Sequence, residues 1–410
     1  MNTDNPLFSR RTTLRLTAVT ASLSVAGCLD TDTAGDETND VTASATDTFE
    51  IESVGEELTH PWGIAFVPSA TVVLVTERDA SAVTAIDREN GESVRLDGTP
   101  SVSTAGQGGM LDIALHPNYP DESWVYLTYA DSNDDRETAT HLGRGRLDLD
   151  AYRIEEFEVL HVVTPFVEST GHYGSRVVFG PDGTLYVTSG DRQFKDFGPD
   201  HVSQDTTNEL GATLRLDPDG TVPSDNPYVE DEDVQDSIFS YGHRNAQGMT
   251  VRPETEALWQ SEHGEEDGDE LNIIEAGGNY GWPITHYGCA YGTDEPIGEE
   301  PHERDDIVNP VHYWECGSGG FPPAGMTFYD GDAFPEWQGD LFVGNLAGRY
   351  LGRFAVDGEG VGAVDVQELD PLLDGQNWRI RDVAVAPDTG YLYVAIDESS
   401  VPLVRLAPPG

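Results

Sequence analysis

Between Ser240 and Pro283 the chain reads SYGHRNAQGM, then SEHGEEDGDELN, then AGGNYGWP. That run holds an Arg244–Asn245 pair, two histidines, an acidic turn and a Gly-Asn-Tyr-Gly-Trp-Pro corner, all between strand-like segments. Strand-flanking segments seldom carry so many polar and glycine residues unless a ligand or metal lies against the backbone. A second candidate is His172 in GHYGSR, in a glycine-flanked loop just before a strand. A neutral imidazole titrating near about pH 6.5 can take up a proton there, though a packed or turn-bonded histidine reads the same way. Arg379 and Arg381 alternate along a strand and so share a face. Guanidinium groups so placed can hold carboxylates in planar, bidentate contact, or merely balance an acidic surface.

The composition limits what such groups mean. The chain has 410 residues, enough for one large β-domain or two to three ordinary ones. Its formal charge is −53, from 75 acids against 22 bases, and Lys195 is its one lysine. Nucleic acid is excluded as a partner, because phosphate contacts need clustered Lys and Arg. The acids are spread over every segment, as on a solvated surface adapted to high salt, and the source is read as a salt-loving organism of the haloarchaeal kind. An acidic cluster is therefore weak evidence for a metal, and the side chains of Glu265, Glu266, Asp267 and Asp269 are read as a solvated turn.

The N-terminus has the form of an export signal. Ser9-Arg10-Arg11 is a twin-Arg start, and an apolar run from Leu16 to Gly27 follows, too short to span a bilayer as a helix. It ends in Val25-Ala26-Gly27-Cys28, a lipobox-like ending or an ordinary cleaved signal with an incidental cysteine. Residues 1–28 are thus the signal, with membrane contact only through a lipid on Cys28 at the extracellular face. Residues 29–50 are Asp/Thr-rich and read as a flexible tether. Cys289 and Cys316 would lie in a disulfide-permissive compartment, either as a bonded pair or as two buried thiols.

Residues 51–410 carry a loose repeat of apolar strand, Pro/Asp/Gly turn and aromatic or β-branched strand. It recurs from Trp62, Met110, Arg176, Gly248, Gly325 and Arg381. No long stretch of helical apolar period interrupts it. Six such units predict an all-β, six-bladed β-propeller, with loops from several blades meeting over the central channel. Two β-sandwiches would need a linker that is not evident.

Eight motifs then stand in order: HPWGIAF from His60, GQGGMLDIALHP from Gly106, GHYGSRVVF from Gly171, SYGHRNAQGM from Ser240, EHG with GDELNI from Glu262, GGNYGWP from Gly277, AGMTFY from Ala324 and RIRDVAVAPDTGYLYV from Arg379. Over residues 55–408 the chain resembles the soluble glucose/sorbosone dehydrogenase family, whose bacterial aldose sugar dehydrogenases are six-bladed propellers using pyrroloquinoline quinone (PQQ) and Ca²⁺. The resemblance implies oxidation of an aldose C1 hydroxyl to a lactone, with hydride transfer to PQQ and onward passage of electrons to an unidentified acceptor. It makes His172 the general base, and Arg244 the group that stabilises charge on the quinone. It puts Asn245, Tyr291, Ala324, Gly325, Asn345, Arg379 and Arg381 at the cofactor with Arg244, and Gln107 at the substrate. One Ca²⁺ at the quinone would use the carbonyls of Gly264 and Glu265, and a structural one the Glu270 carboxylate and the Tyr280 carbonyl.

Three departures bear on cofactor affinity and sugar choice. Glu265 stands where the family usually has Pro, and Ala347 where it has a cofactor-contacting Lys, with Arg349 two residues on as a shifted substitute. Gly171 replaces an Asn or Asp before the base. Two other classes remain open: a non-enzymatic propeller binding a glycan or protein on the channel face, and a Ca²⁺-dependent lactonase-type hydrolase. The hydrolase needs several carboxylates converging on one ion, where the motifs here offer Arg and His.

Overall fold

A computed structural model describes residues 49–410. The signal, Cys28 and most of the tether lie outside the described residues. Six antiparallel four-stranded sheets follow one another along the chain, as the repeat predicts. The first blade is built from Pro61–Phe66, Val72–Glu77, Ala82–Asp87 and Ser93–Arg95. Blades two to five begin at Met110, Val177, Ala246 and Pro323. The sixth takes Ile380–Val385, Leu392–Ile396 and Ser399–Ala407, and its outer strand is Glu50–Thr59 from the other end of the described chain. Glu50 pairs with Ala407 and Val54 with Leu403, so the ring is closed by backbone hydrogen bonds between its two ends.

Local chemistry explains the hairpins. Between Val177–Phe179 and Leu185–Ser189 runs Gly180-Pro181-Asp182-Gly183, with Gly183 at φ +80°. Asp182 Oδ1 accepts from Thr184 N at 3.0 Å and from its hydroxyl at 2.7 Å, which fixes the turn. The strands are apolar and buried on both faces: Leu185, Val187 and Leu214 show 2% exposure or less on one, and Tyr186 and Thr188 8% or less on the other. Each seam between adjacent blades has its own apolar cluster. Val83, Leu127 and Tyr129 belong to the first seam, and Ile86, Val75 and Tyr393 to the one that closes the ring. Burying each such side chain contributes roughly 1.5–3 kcal/mol, so the ring is held at six seams rather than by one core.

The first strands of successive blades pack around the axis. In five blades the pairing of this strand with the next is shifted near its start, between Pro61 and Ile64, Met110 and Ile113, Ala246 and Gly248, Pro323 and Met326, and Ile380 and Asp382. A bulge re-aims side chains, and the residues at these points include Trp62, Asp112, Gln247 and Arg381. The axis itself is filled by the Arg176 guanidinium. It lies 3.2 Å from Asp112 and 3.0 Å from Asp382, donates to the carbonyls of Gln247 (2.6 Å) and Arg381 (3.1 Å), and stacks 4.1 Å from the centre of Trp62. The fifth blade makes room for it with Gly325, where a Cβ would fall 1.7 Å from Asp382 Oδ1.

Candidate functional site

Over this plugged axis the connecting loops enclose a cavity of about 1490 Å³. His172 reaches its wall from the loop before the third blade, held at φ +47°, a left-handed conformation that costs a non-glycine residue about 1–3 kcal/mol. Two contacts hold it there. Its backbone N–H donates to Gln107 Oε1 at 2.8 Å, and its ring Nδ1 lies 2.6 Å from Asp191 Oδ1. Asp191 is 1% exposed and also accepts from Trp282 Nε1 at 2.9 Å and Gln193 N at 2.8 Å. Burial alone would raise the Asp191 carboxyl, but its bond to His172, with Arg244 and Gln193 assisting, holds it below the ordinary value. It is therefore an anion. The Nδ1 proton belongs on that hydrogen bond, and Nε2 is left as the acceptor on the cavity side. Burial lowers the imidazole's own pKa, outweighing the upward pull of Asp191.

The opposite charges are as specific. Arg78, Lys195, Arg244, Arg349, Arg379 and Arg381 all line the cavity, six of the chain's 22 bases, whereas only six of its 75 acids do. Arg381 Nη2 lies 2.5 Å from Asp397, which also takes His60 Nδ1 at 2.9 Å and stands 3.7 Å from both Arg78 and Arg379. Burial would raise Asp397, but Arg381 and Arg78 depress it strongly. Arg381, in the strand Ile380–Val385, and Arg379, just before it, thus reach one carboxylate. The Nε atoms of Arg244 and Arg381 are buried without a hydrogen-bond partner among the described residues. A multiply anionic occupant fits donors left in this state.

The candidate residues separate by place. His172, Gln107, Arg244, Asn245, Gly264, Glu265, Tyr291, Arg379 and Arg381 all lie on the one cavity wall. Gln107 is committed to the His172 backbone, so it positions that imidazole as well as lining the space. Ala324, Gly325 and Asn345 are not on the wall, contrary to the sequence expectation. Ala324 is fully buried with its carbonyl accepting from Ser261 Oγ at 3.0 Å, Gly325 faces Arg176 and Asp382, and the Asn345 side chain closes its own turn on Gly348 N. Glu270 and Tyr280 lie behind the wall. They border a closed cavity of about 10 Å³ with Glu262, Thr285 and His286, room for one water-sized centre.

The acidic turn is not the solvated surface expected of it. Asp269, 5% exposed, accepts from Gly264 N (2.9 Å) and Phe321 N (2.8 Å), and burial pushes its carboxyl up to about 6. Asp267 accepts from Gly317 N at 2.6 Å, and Glu266 from Gly292 N. These carboxylates tie a glycine-rich loop together where no strand ladder can. Cys289 and Cys316 are joined in a disulfide beside it, and Cys289 exchanges both backbone hydrogen bonds with Glu266.

For a cation, the fit differs between the two places. Among the described residues no three His, Cys, Asp or Glu side chains converge on a point, so any ion would need carbonyl, hydroxyl or amide oxygens among its ligands. At the main cavity the Gly264 and Glu265 carbonyls accept no hydrogen bond among the described residues. At the small one the Glu270 carboxyl is pushed well up by burial, then by Glu262, while Thr285 Oγ1 on its wall is buried and unpartnered. Both places suit a single hard cation.

The departures acquire partners. A Cβ on Gly171 would meet the Gln193 amide carbon at 2.3 Å, so Gln193 occupies the space of the side chain absent there. Arg349 lies on the wall beside Ala347, engaged by Glu398 (3.1 Å) and the Asn377 carbonyl (2.8 Å). Asp191, Gln193, Arg78 and Lys195 were not picked out by sequence reasoning. Asp191 offered one signal, an acid ending the strand-turn YVTSGD just after the base motif.

Comparison with known proteins agrees with this geometry. A family model described as Glucose / Sorbosone dehydrogenase matches residues 58–405. The aldose sugar dehydrogenase YliI of Escherichia coli is 35% identical over 88% of this chain and 93% of its own. Quinoprotein glucose dehydrogenase B of Acinetobacter calcoaceticus is 29% identical over 85% of each chain. The structure of the PQQ-bound form of aldose sugar dehydrogenase from Streptomyces coelicolor superposes with a TM-score of 0.69 at 27% identity, covering 88% of this chain and 98% of that one.

Proposed function

The chain belongs to the glucose/sorbosone dehydrogenase family, and from that membership we propose that it is an exported, PQQ-dependent aldose dehydrogenase. What carries the reading is the base: an imidazole bonded through Nδ1 to a buried carboxylate, with Nε2 left to a cavity whose cations suit a polyanion. PQQ, when bound, supplies an ortho-quinone as hydride acceptor and three carboxylates for recognition. His172 Nε2 takes the proton of the sugar's C1 hydroxyl as the C1 hydrogen leaves with its electron pair, and the carbonyl of a lactone forms. Asp191 keeps the ring in one tautomer and stabilises the imidazolium that results. Arg244 provides fixed positive charge where negative charge grows, and Arg379 and Arg381 anchor carboxylates. Gln193 offers an amide beside His172 for a sugar hydroxyl. Ca²⁺ on the Gly264 and Glu265 carbonyls would polarise the acceptor, and a second ion at Glu270 and Tyr280 would brace the fourth blade. The proposal includes a high-salt habitat, export by the twin-Arg route and a lipid anchor on Cys28.

Reconstitution of the purified protein with PQQ and Ca²⁺ in high salt, followed by dye reduction across a panel of aldoses, tests the reading. Quinone-dependent turnover is expected with some aldose. No turnover together with no spectral change on adding PQQ would overturn it. His172→Ala should lose roughly 10²–10⁴-fold in turnover while keeping the cofactor spectrum.

A further inference from the structure

Arg244 does not face the cavity unopposed. Its Nη2 lies 2.6 Å from Glu265 Oε2, both side chains 5% exposed or less. The same carboxylate is paired with Lys195, whose side chain is 52% exposed at the cavity mouth, its Nζ 5.4–5.5 Å from the rings of Tyr291 and Phe197. Lys195 rides on the third-blade loop that also carries Asp191 and Gln193, while Glu265 belongs to the loop after Leu258–Glu262 of the fourth blade. One carboxylate therefore neutralises two cations and joins two blades across the cavity. The Arg244 guanidinium has no other carboxylate partner among the described residues. Its Nη1 makes a 3.4 Å bond to the His263 carbonyl, and its guanidinium carbon lies 5.3 Å from the centre of the Trp282 ring.

We infer that Glu265 is a resident counterion, occupying in the free protein the place where an anionic ligand oxygen lies against Arg244, and that binding proceeds by displacing it. The inference rests on the quinone reading for the identity of that ligand, but the ionic latch itself does not. A buried guanidinium left alone is costly, so an internal carboxylate stabilises the empty site. The same carboxylate then competes with any incoming one, and affinity is lower than Arg244 and Lys195 together would give. When Glu265 swings away both cations are released to the ligand, and Lys195 stands in for the lysine replaced at Ala347. The exchange also unties the third-blade loop from the fourth blade, which couples occupancy to the loop that orients His172. Because Lys195 lies at the mouth, added salt weakens the outer half of the latch more than the buried half. The Glu265 carbonyl is untouched by a change of its side chain, so an ion bound there is not removed with the latch.

The experiment compares full-length wild type with Glu265→Gln, using PQQ itself as probe and tryptophan fluorescence as readout, in low and high salt. Glu265→Gln should bind PQQ at least about tenfold more tightly in low salt, the coupling of a close charge pair being of that order or more, with the gap narrowing in high salt. Lys195 is the chain's sole lysine, so its acylation can be followed by mass without ambiguity, and should be several-fold faster in the variant. PQQ binding by the variant that equals or falls below wild type overturns the inference, whatever the acylation rate. Should wild type take up no PQQ at all, the quinone reading falls. The latch is then judged on acylation alone, faster upholding it and unchanged overturning it. Glu265→Ala, which removes the charge without leaving an amide, replaces the variant if Glu265→Gln does not fold.

Discussion

A base that must accept a proton near neutral pH has to be neutral beforehand and fixed in one orientation. Burial meets the first need at His172 and Asp191 the second. The balance between them sets the pH dependence. Burial lowers the imidazole and Asp191 raises it, so the acid limb of kcat/KM should lie below about pH 6.5, the value of a free imidazole. Asp191→Asn removes the upward pull. The limb should then move further toward acid, while the plateau falls by roughly 10- to 100-fold because a less basic nitrogen accepts the proton. A pH–rate profile of both proteins checks this. A limb moving upward would show that Asp191 does not act through the ring.

At the scale of the strand, five bulges turn the first strands of their blades so that Trp62, Asp112, Gln247 and Arg381 point toward the axis or the cavity. Gly325 lies in the fifth of these shifts, between Pro323 and Met326, and its missing side chain is what lets Asp382 and Arg176 meet. Gly325→Ala would place a methyl 1.7 Å from Asp382 Oδ1, and neither that buried carboxylate nor the Arg176 it pairs with has space to retreat. A loss of about 2–4 kcal/mol is expected, read as a lower denaturation midpoint. Wild-type stability would mean that the axis is looser than its hydrogen bonds indicate. The motif AGMTFY was legible as a strand, but its resemblance to a cofactor contact was not borne out by position: its glycine serves the plug under the site.

For the whole molecule, a charge of −53 leaves few bases to spend on structure, and six of the 22 stand around one cavity. The remaining surface is acidic, and screening by salt reduces its self-repulsion. The proposed export and anchoring rest on residues outside the described structure and are testable separately. In a salt-loving host, Cys28→Ser should shift the protein from the membrane fraction to the medium without changing its activity. Equal partition of variant and wild type would remove the lipid anchor from the proposal.

Periodicity alone determined the all-β ring of six sheets, because alternating strands and Pro/Asp/Gly turns are local properties that each unit repeats. The motifs around His172, Arg244 and Arg379–Arg381 marked the wall, since chemistry of that kind needs particular residue types in glycine-rich loops. Tertiary structure decided which distant groups meet. Asp191 behind His172, Gln193 in the space over Gly171, and Glu265 between Arg244 and Lys195 are contacts between loops that only ring closure brings together. Glu265 shows the difference most sharply. In sequence it is one acid in a turn of acids, and only burial between two cations separates it from the others.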